Sequence, residues 1–199
     1  MNFLWSALTT AQVIVIAIVA VVVILVLVLV SVGISLHNGL AALNNECDEA
    51  WASIDVFLKK RYDLIPNLVE TVKGYTKHES ETLEKVVAAR NAAVTATGSD
   101  DKIKADKEVG GVLRQLFALT ESYPDLKANT QFLDLQSQLR GIENELSQAR
   151  KFYNGKCKAL NIKIDQFPSN IAAKAMKLSK RTYFELDSEE ERKNVKVSF

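Results

Sequence analysis

Between Val13 and Leu36 the chain is apolar on every side. The run VIVIAIVAVVVILVLVLV has no charge and no helical or strand periodicity. At 1.5 Å per residue the stretch makes roughly 36 Å of helix, enough to cross a hydrocarbon core of about 30 Å with some tilt. Its β-branched residues favour strand in water. In lipid the backbone must satisfy its own hydrogen bonds, and helix results. Phe3 and Trp5 precede the run and suit a membrane interface. A cleaved signal peptide would need a basic n-region, a shorter apolar core and a small-residue cleavage site. MNFLWSALTTAQ has no Lys or Arg, and the run is too long. Residues 1–12 therefore read as a short tail and residues 13–36 as a retained transmembrane anchor.

From Leu36 the pattern changes. Leu36, Leu40, Leu43, Cys47, Trp51, Ile54, Leu58 and Tyr62 recur at steps of three and four, one face of a helix that continues from the anchor without a linker. Gly39 does not stop it. A second periodic segment runs from Leu68 through Val72, Tyr75, Leu83 and Val86 to Ala96, with Gly98 suited to a C-terminal cap. A weaker segment, Lys102–Thr120, is interrupted by Gly110-Gly111. The clearest helix starts near Pro124 and Asp125 and carries Phe132, Leu135, Leu139, Ile142, Leu146, Ala149, Tyr153, Cys157, Leu160, Ile164 and Phe167, a coiled-coil-like seam. Arg140, Glu143, Glu145, Arg150 and Lys151 fall on its solvated face. Pro168 ends it, and Ser169 and Asn170 can cap a fourth, shorter helix reaching Thr182. Long amphipathic helices with short joints predict an all-α fold: a transmembrane helix continuing into an antiparallel bundle of about four long helices, up-down-up-down, over residues 37–185. Residues 186–199 are a charged tail in which Val195, Val197 and Phe199 alternate, favoured as an extended tail laid on the bundle over a docking peptide.

One stretch resists the helical beat. In KKRYDLIPNLV, Lys59–Val69, a proline sits among apolar residues with charges before it. Proline removes a backbone donor and costs about 3 kcal/mol inside a helix, and it pushes Ile65 toward extended backbone. The expectation is a tight hairpin at Tyr62–Pro66, where the first helix reverses, with Asp63 capping the next helix and Leu64 and Ile65 plugging the bundle end. A kinked continuous helix is the alternative. Lys59, Lys60 and Arg61 then lie in a last helical turn, where cations suit the dipole, or form a basic tip far from the membrane.

Charge sharpens this picture. The formal net charge is only +1, against a nucleic-acid-binding protein. No Lys, Arg, Asp or Glu precedes Glu46, and every basic residue lies C-terminal to the anchor. The short uncharged N-terminus is easy to translocate, which favours N-terminus out and the bundle in the cytoplasm. Cys47 and Cys157 each fall on an apolar face, as small buried hydrophobes, with a single disulfide left open.

Chemical motifs are absent. His78-Glu79 begins like a zinc-binding H-E-x-x-H helix, but position 82 is Thr. His37 lies at the membrane boundary. No C-x-x-C, Gly-rich phosphate loop or G-x-S-x-G turn occurs. The sequence therefore offers no catalytic, cofactor-binding or metal-binding residues, and no enzyme, cofactor, nucleic acid or small-molecule substrate is expected.

The segment AWASIDVFLKKRYDLIPNLVETVKGYTKHESETLEKVVAARNAA, Ala50–Ala93, resembles the signature region of the LemA family. RQLFALTESYPDLKANTQFLDLQSQL (Arg114–Leu139), ENELSQARKFYN (Glu143–Asn154), FPSNIAAK (Phe167–Lys174) and the ending FELDSEEER…VKVSF follow in the family's order. The resemblance implies a bacterial inner-membrane protein with one N-terminal anchor and a helical bundle. It brings no active site to transfer. Some relatives take part in magnetosome formation and others in envelope stress. Leu160 departs from a common tyrosine and Leu178 from a common aromatic. The function expected is a membrane-anchored scaffold or adaptor working through protein partners of unknown identity, with homo-oligomerisation through the anchor and first helix as a weaker variant. The alternative is membrane-surface binding or remodelling.

Overall fold

The computed structural model describes residues 10–76 and 79–184. His78, most of the N-terminal tail and the whole of the 186–199 tail lie outside the described residues. All regular structure within them is helical: α1 (Thr10–Lys73), α2 (Ser80–Thr95), α3 (Ser99–Thr120), α4 (Pro124–Lys127), α5 (Thr130–Asp165) and α6 (Ser169–Ala175).

α1 is a single helix of 64 residues, about 96 Å long. Its first part is covered by nothing: the large apolar residues from Val13 to Ile34 are all exposed. This is the one helix among the described residues long and apolar enough to be a candidate membrane span. Burial begins at Leu40 and recurs at Cys47, Ile54 and Leu68, on one heptad stripe.

The hairpin expected at Tyr62–Pro66 does not form. α1 continues through Pro66 without a break. Continuing the helix buries Ile65, Leu68, Val69 and Val72, each contributing about 1.5–3 kcal/mol. Together they outweigh the roughly 3 kcal/mol proline penalty. Pro66 has no N–H for the carbonyl four residues back, and that carbonyl, on Tyr62, instead accepts from Arg90 Nε of α2 at 3.4 Å. Arg90→Met is expected to lower stability by about 1 kcal/mol. In a Pro66→Ala background the backbone regains an N–H that can reach the Tyr62 carbonyl, and the same change costs less. Urea unfolding of the four chains in micelles measures this coupling.

The reversal comes later. Gly74 N–H donates to the Glu70 carbonyl, and the Tyr75 and Thr76 N–H groups both donate to that of Val72. The second periodic segment is therefore split, Leu68–Val72 ending α1 and Leu83 onward forming α2. Three further expectations shift. Gly98 does not cap α2, whose backbone has already turned extended at Ala96. It holds φ +83 at the start of α3. Gly110-Gly111 does not interrupt α3, because Val109, Leu113 and Leu116 are buried around them and offset about 1 kcal/mol per glycine. α5 begins at Thr130, behind the separate turn α4. Its N-cap is Asn129, whose side chain accepts from Phe132 N–H at 2.9 Å.

α6 stops at Ala175, well short of Thr182, and Lys177 follows with φ +54. Ser169 does not cap it. Its hydroxyl donates to the Lys163 and Gln166 carbonyls at the end of α5. Phe167 lies beyond α5 and is exposed. Residues 178–184 carry no helix.

Cross-links fix the directions. Glu46–Lys156, Arg61–Glu143 and Tyr75–Asn129 set α5 antiparallel to α1. Asp55–Lys102 and Arg61–Asp106 set α3 parallel to it. Arg90 at Tyr62 sets α2 antiparallel. The result is the expected up-down-up-down bundle, with α1 continuing out of it toward the N-terminus.

Candidate functional site

The apolar stripe of α1 is broken at one position by charge. Arg61 lies one heptad after Ile54 and one before Leu68, so its side chain must enter the core, and it is 9% exposed. Asp106 occupies the matching place on α3, one turn before Val109, and is 2% exposed. Arg61 Nη1 contacts Asp106 Oδ1 at 2.9 Å. Arg150 Nη2 on α5 contacts Asp106 Oδ2 at 2.5 Å. Glu143 lies 3.5 Å from Arg61 and 3.4 Å from Arg150. Tyr62 donates to Asp106 Oδ1 at 3.3 Å. Burial, then the Asp106 carboxylate, push the Tyr62 phenol well above its usual range. Two guanidiniums and two carboxylates thus join α1, α3 and α5.

These placements correct the earlier expectations. Lys59, Lys60 and Arg61 are neither a last helical turn nor one basic tip. Arg61 is buried and paired, while Lys59 and Lys60 are exposed. Glu143 and Arg150 leave the solvated face of α5 for the network, whereas Arg140, Glu145 and Lys151 remain exposed.

Above the network the chain after α6 lies along α5 as a strap. Two asparagines seven residues apart hold it by its backbone. Asn161 Oδ1 accepts from Arg181 N–H and its Nδ2 donates to the Arg181 carbonyl, both at 2.9 Å. Asn154 does the same for Phe184, both at 2.8 Å. Each amide side chain pairs as a second strand would, with donor and acceptor side by side. Arg181 reaches on to Asn44 and Asp48 of α1 at 2.8 and 2.9 Å. Phe184 enters the core and stacks on Trp51, ring centroids 5.9 Å apart. The Arg150 guanidinium lies 4.9 Å from its ring centroid. The asparagine clamp turns Phe184 inward. Phe57 is half-buried against the core.

A groove of about 640 Å³ opens between α3 and α5 where the strap ends at Phe184. Leu113, Phe117 and Leu139 form apolar parts of its wall, and Arg114, Arg140 and Lys151 supply charge. Arg150 also lines it, with its Nε buried and unpartnered among the described residues. Cations beside apolar wall suit an extended segment carrying carboxylates.

Below the strap the two cysteines meet. Cys47 of α1 and Cys157 of α5 are both buried and both free, their thiols against each other and that of Cys157 beside the Tyr153 hydroxyl. Burial, then the neighbouring sulfur, push the Cys47 thiol up to about 11 from 9.0. An acid with a raised folded-state pKa gives stability that is full below its unfolded value and lost as pH rises through the folded one. Unfolding free energy should therefore fall between pH 9 and about 11, and fall less steeply in Cys47→Ala. Urea titrations across that range check both slopes.

Among the described residues no three His, Cys, Asp or Glu side chains gather as a metal-ligand set. The model of the LemA family matches residues 50–199, beginning where the resemblance read from the sequence begins. Protein LemA of Metamycoplasma hominis is 29% identical over 165 residues, covering 81% of this chain and 74% of that relative. The family match takes in α5, the strap, the groove and most of the bundled part of α1, and the chain belongs to the LemA family.

Proposed function

We propose that the chain is a membrane-anchored scaffold or adaptor that acts through protein–protein interaction. One observation carries this: a candidate span and a packed bundle share one uninterrupted helix, α1. A helix without a linker transmits orientation, so residues 13–36 would fix the bundle, from residue 37 on, rigidly against the membrane. The coiled-coil-like pairing of α1 with α5 stiffens that connection. Membrane organisation or envelope stress are the settings in which such an adaptor would work.

Cross-linking in native bacterial membranes tests this, and adducts between the bundle and other proteins are expected. Monomer alone, across several linker lengths, would remove the scaffold role. We place the anchor in the cytoplasmic membrane with the N-terminus outside and the bundle in the cytoplasm, because residues 1–12 carry no charge and are easy to translocate. Digestion of the bundle by protease added from outside intact spheroplasts would reverse that orientation. Membrane-surface binding has less support. Arg61 is committed to Asp106, and Lys59 lies roughly 35 Å along the helix from residue 36, several Debye lengths away.

A further inference from the structure

The strap has a register. Arg181 sits at Asn161 and Phe184 at Asn154. Three residues of strap therefore match seven residues of α5, running antiparallel. The match is metric: three extended residues advance about 9–10 Å, and seven helical residues about 10.5 Å. The next two positions of the same α5 stripe are Ser147 and Arg140, both exposed and both lining the groove. The next two positions of the chain are Asp187 and Glu190.

Charge agrees with the spacing. Residues 185–191, ELDSEEE, hold five acids and no base. Arg114, Arg140 and Lys151 line the groove and make no ion pair among the described residues, whereas Arg61 and Arg150 are balanced by Asp106 and Glu143. Phe184 lines the groove, and the acidic run follows it directly in the sequence. Seven extended residues reach about 23 Å, and Asn154 to Arg140 spans about 21 Å of helix.

We propose that residues 185–191 occupy this groove on their own chain, antiparallel to α5, with Asp187 at Ser147 and Glu190 at Arg140. Arg114 faces the acidic run from α3, and Lys151 meets its beginning. The proposal does not depend on the scaffold role. It makes the strap and the acidic run one continuous ligand of α5.

Cysteine pairs in the full chain in micelles test the register. The native thiols are buried with raised pKa and will react slowly. Ser147→Cys/Asp187→Cys and Arg140→Cys/Glu190→Cys are the matched pairs. Ser147→Cys/Glu190→Cys and Arg140→Cys/Asp187→Cys are displaced by one step of the register. A disulfide needs Cβ atoms within about 4.5 Å, so matched pairs should close at least roughly tenfold faster than displaced ones. The product should be intramolecular and its rate independent of protein concentration. Raising salt to 1 M should slow the matched pairs. Equal rates for all four pairs would overturn the proposal, as would no product at all, which leaves the groove to a different protein. Disulfide-linked dimers as the main product would also overturn it, by giving the groove to a second copy's tail.

Discussion

Asp106→Ala is expected to destabilise the protein by about 3 kcal/mol or more, because it leaves one buried and one part-buried guanidinium without their shared carboxylate. Arg61 and Arg150 are 9% and 18% exposed, too little for water to replace Asp106. Glu143 lies 3.5 and 3.4 Å from them and compensates in part, which places the loss nearer 3 than 5 kcal/mol. Urea unfolding of the full chain in micelles measures it. A companion variant separates stranded charge from lost packing. Arg61→Met/Asp106→Leu/Arg150→Met removes all three charges while keeping volume, and should restore most of the stability or exceed it. A loss below about 1 kcal/mol for Asp106→Ala would mean that the network is solvated and energetically idle.

The charges of this network were visible in the sequence, but their meaning depended on where α1 ends. With a corner at Pro66, Arg61 belongs to a frayed, solvated turn. With α1 running to Lys73, position 61 lies on the stripe of Ile54 and Leu68, and an arginine there needs a buried acid. Asp106 shows the same signature on α3, at one turn from Val109. Two opposite charges on two apolar stripes were a legible signal, hidden by giving a local proline rule precedence over the periodicity on both sides of it. The local rule lost because its compensation is distant: Arg90, on another helix, satisfies the Tyr62 carbonyl. Long periodic elements were legible for the opposite reason. The seams of α1 as far as Tyr62 and of α5 are set by many residues each, so no single exception there could move them.

The strap was legible only in part. Its last residue, Phe184, is a lone aromatic in a segment with no period. Asn154 and Asn161 are seven apart on α5, which marks them as one face, but nothing local says that backbone is their partner. Asparagine on a helix face is commonly just solvated. Only the antiparallel path of residues 178–184 turns those two amides into clamps and carries Phe184 onto Trp51.

Phe184→Ala should accordingly release the strap before it unfolds the bundle. Truncating a buried phenylalanine costs about 3–5 kcal/mol when the whole structure must absorb it. Here the ring lies at the end of a strap whose other contacts include the four asparagine bonds, at about 1 kcal/mol each, the Arg181 bonds to Asn44 and Asp48 and the exposed Lys180–Asp165 pair. Freeing the strap returns roughly 1–2 kcal/mol of backbone entropy per residue, which offsets those bonds, so detachment is the cheaper response and global stability should fall by less than the full penalty. The readouts are local. Trp51, stacked on Phe184 and edge-on to Tyr153 at 5.4 Å, should gain water contact and shift its emission to the red. A Trp5→Phe background isolates that signal, since the chain has two tryptophans. Trypsin cleavage after Lys180 and Arg181 should accelerate. Phe184→Leu keeps much of the volume but loses the stacking and the Arg150 contact, so its effect should be intermediate. Unchanged emission and unchanged proteolysis in Phe184→Ala would show that the asparagine clamps hold the strap without the ring. The ring would then be packing on a segment already fixed.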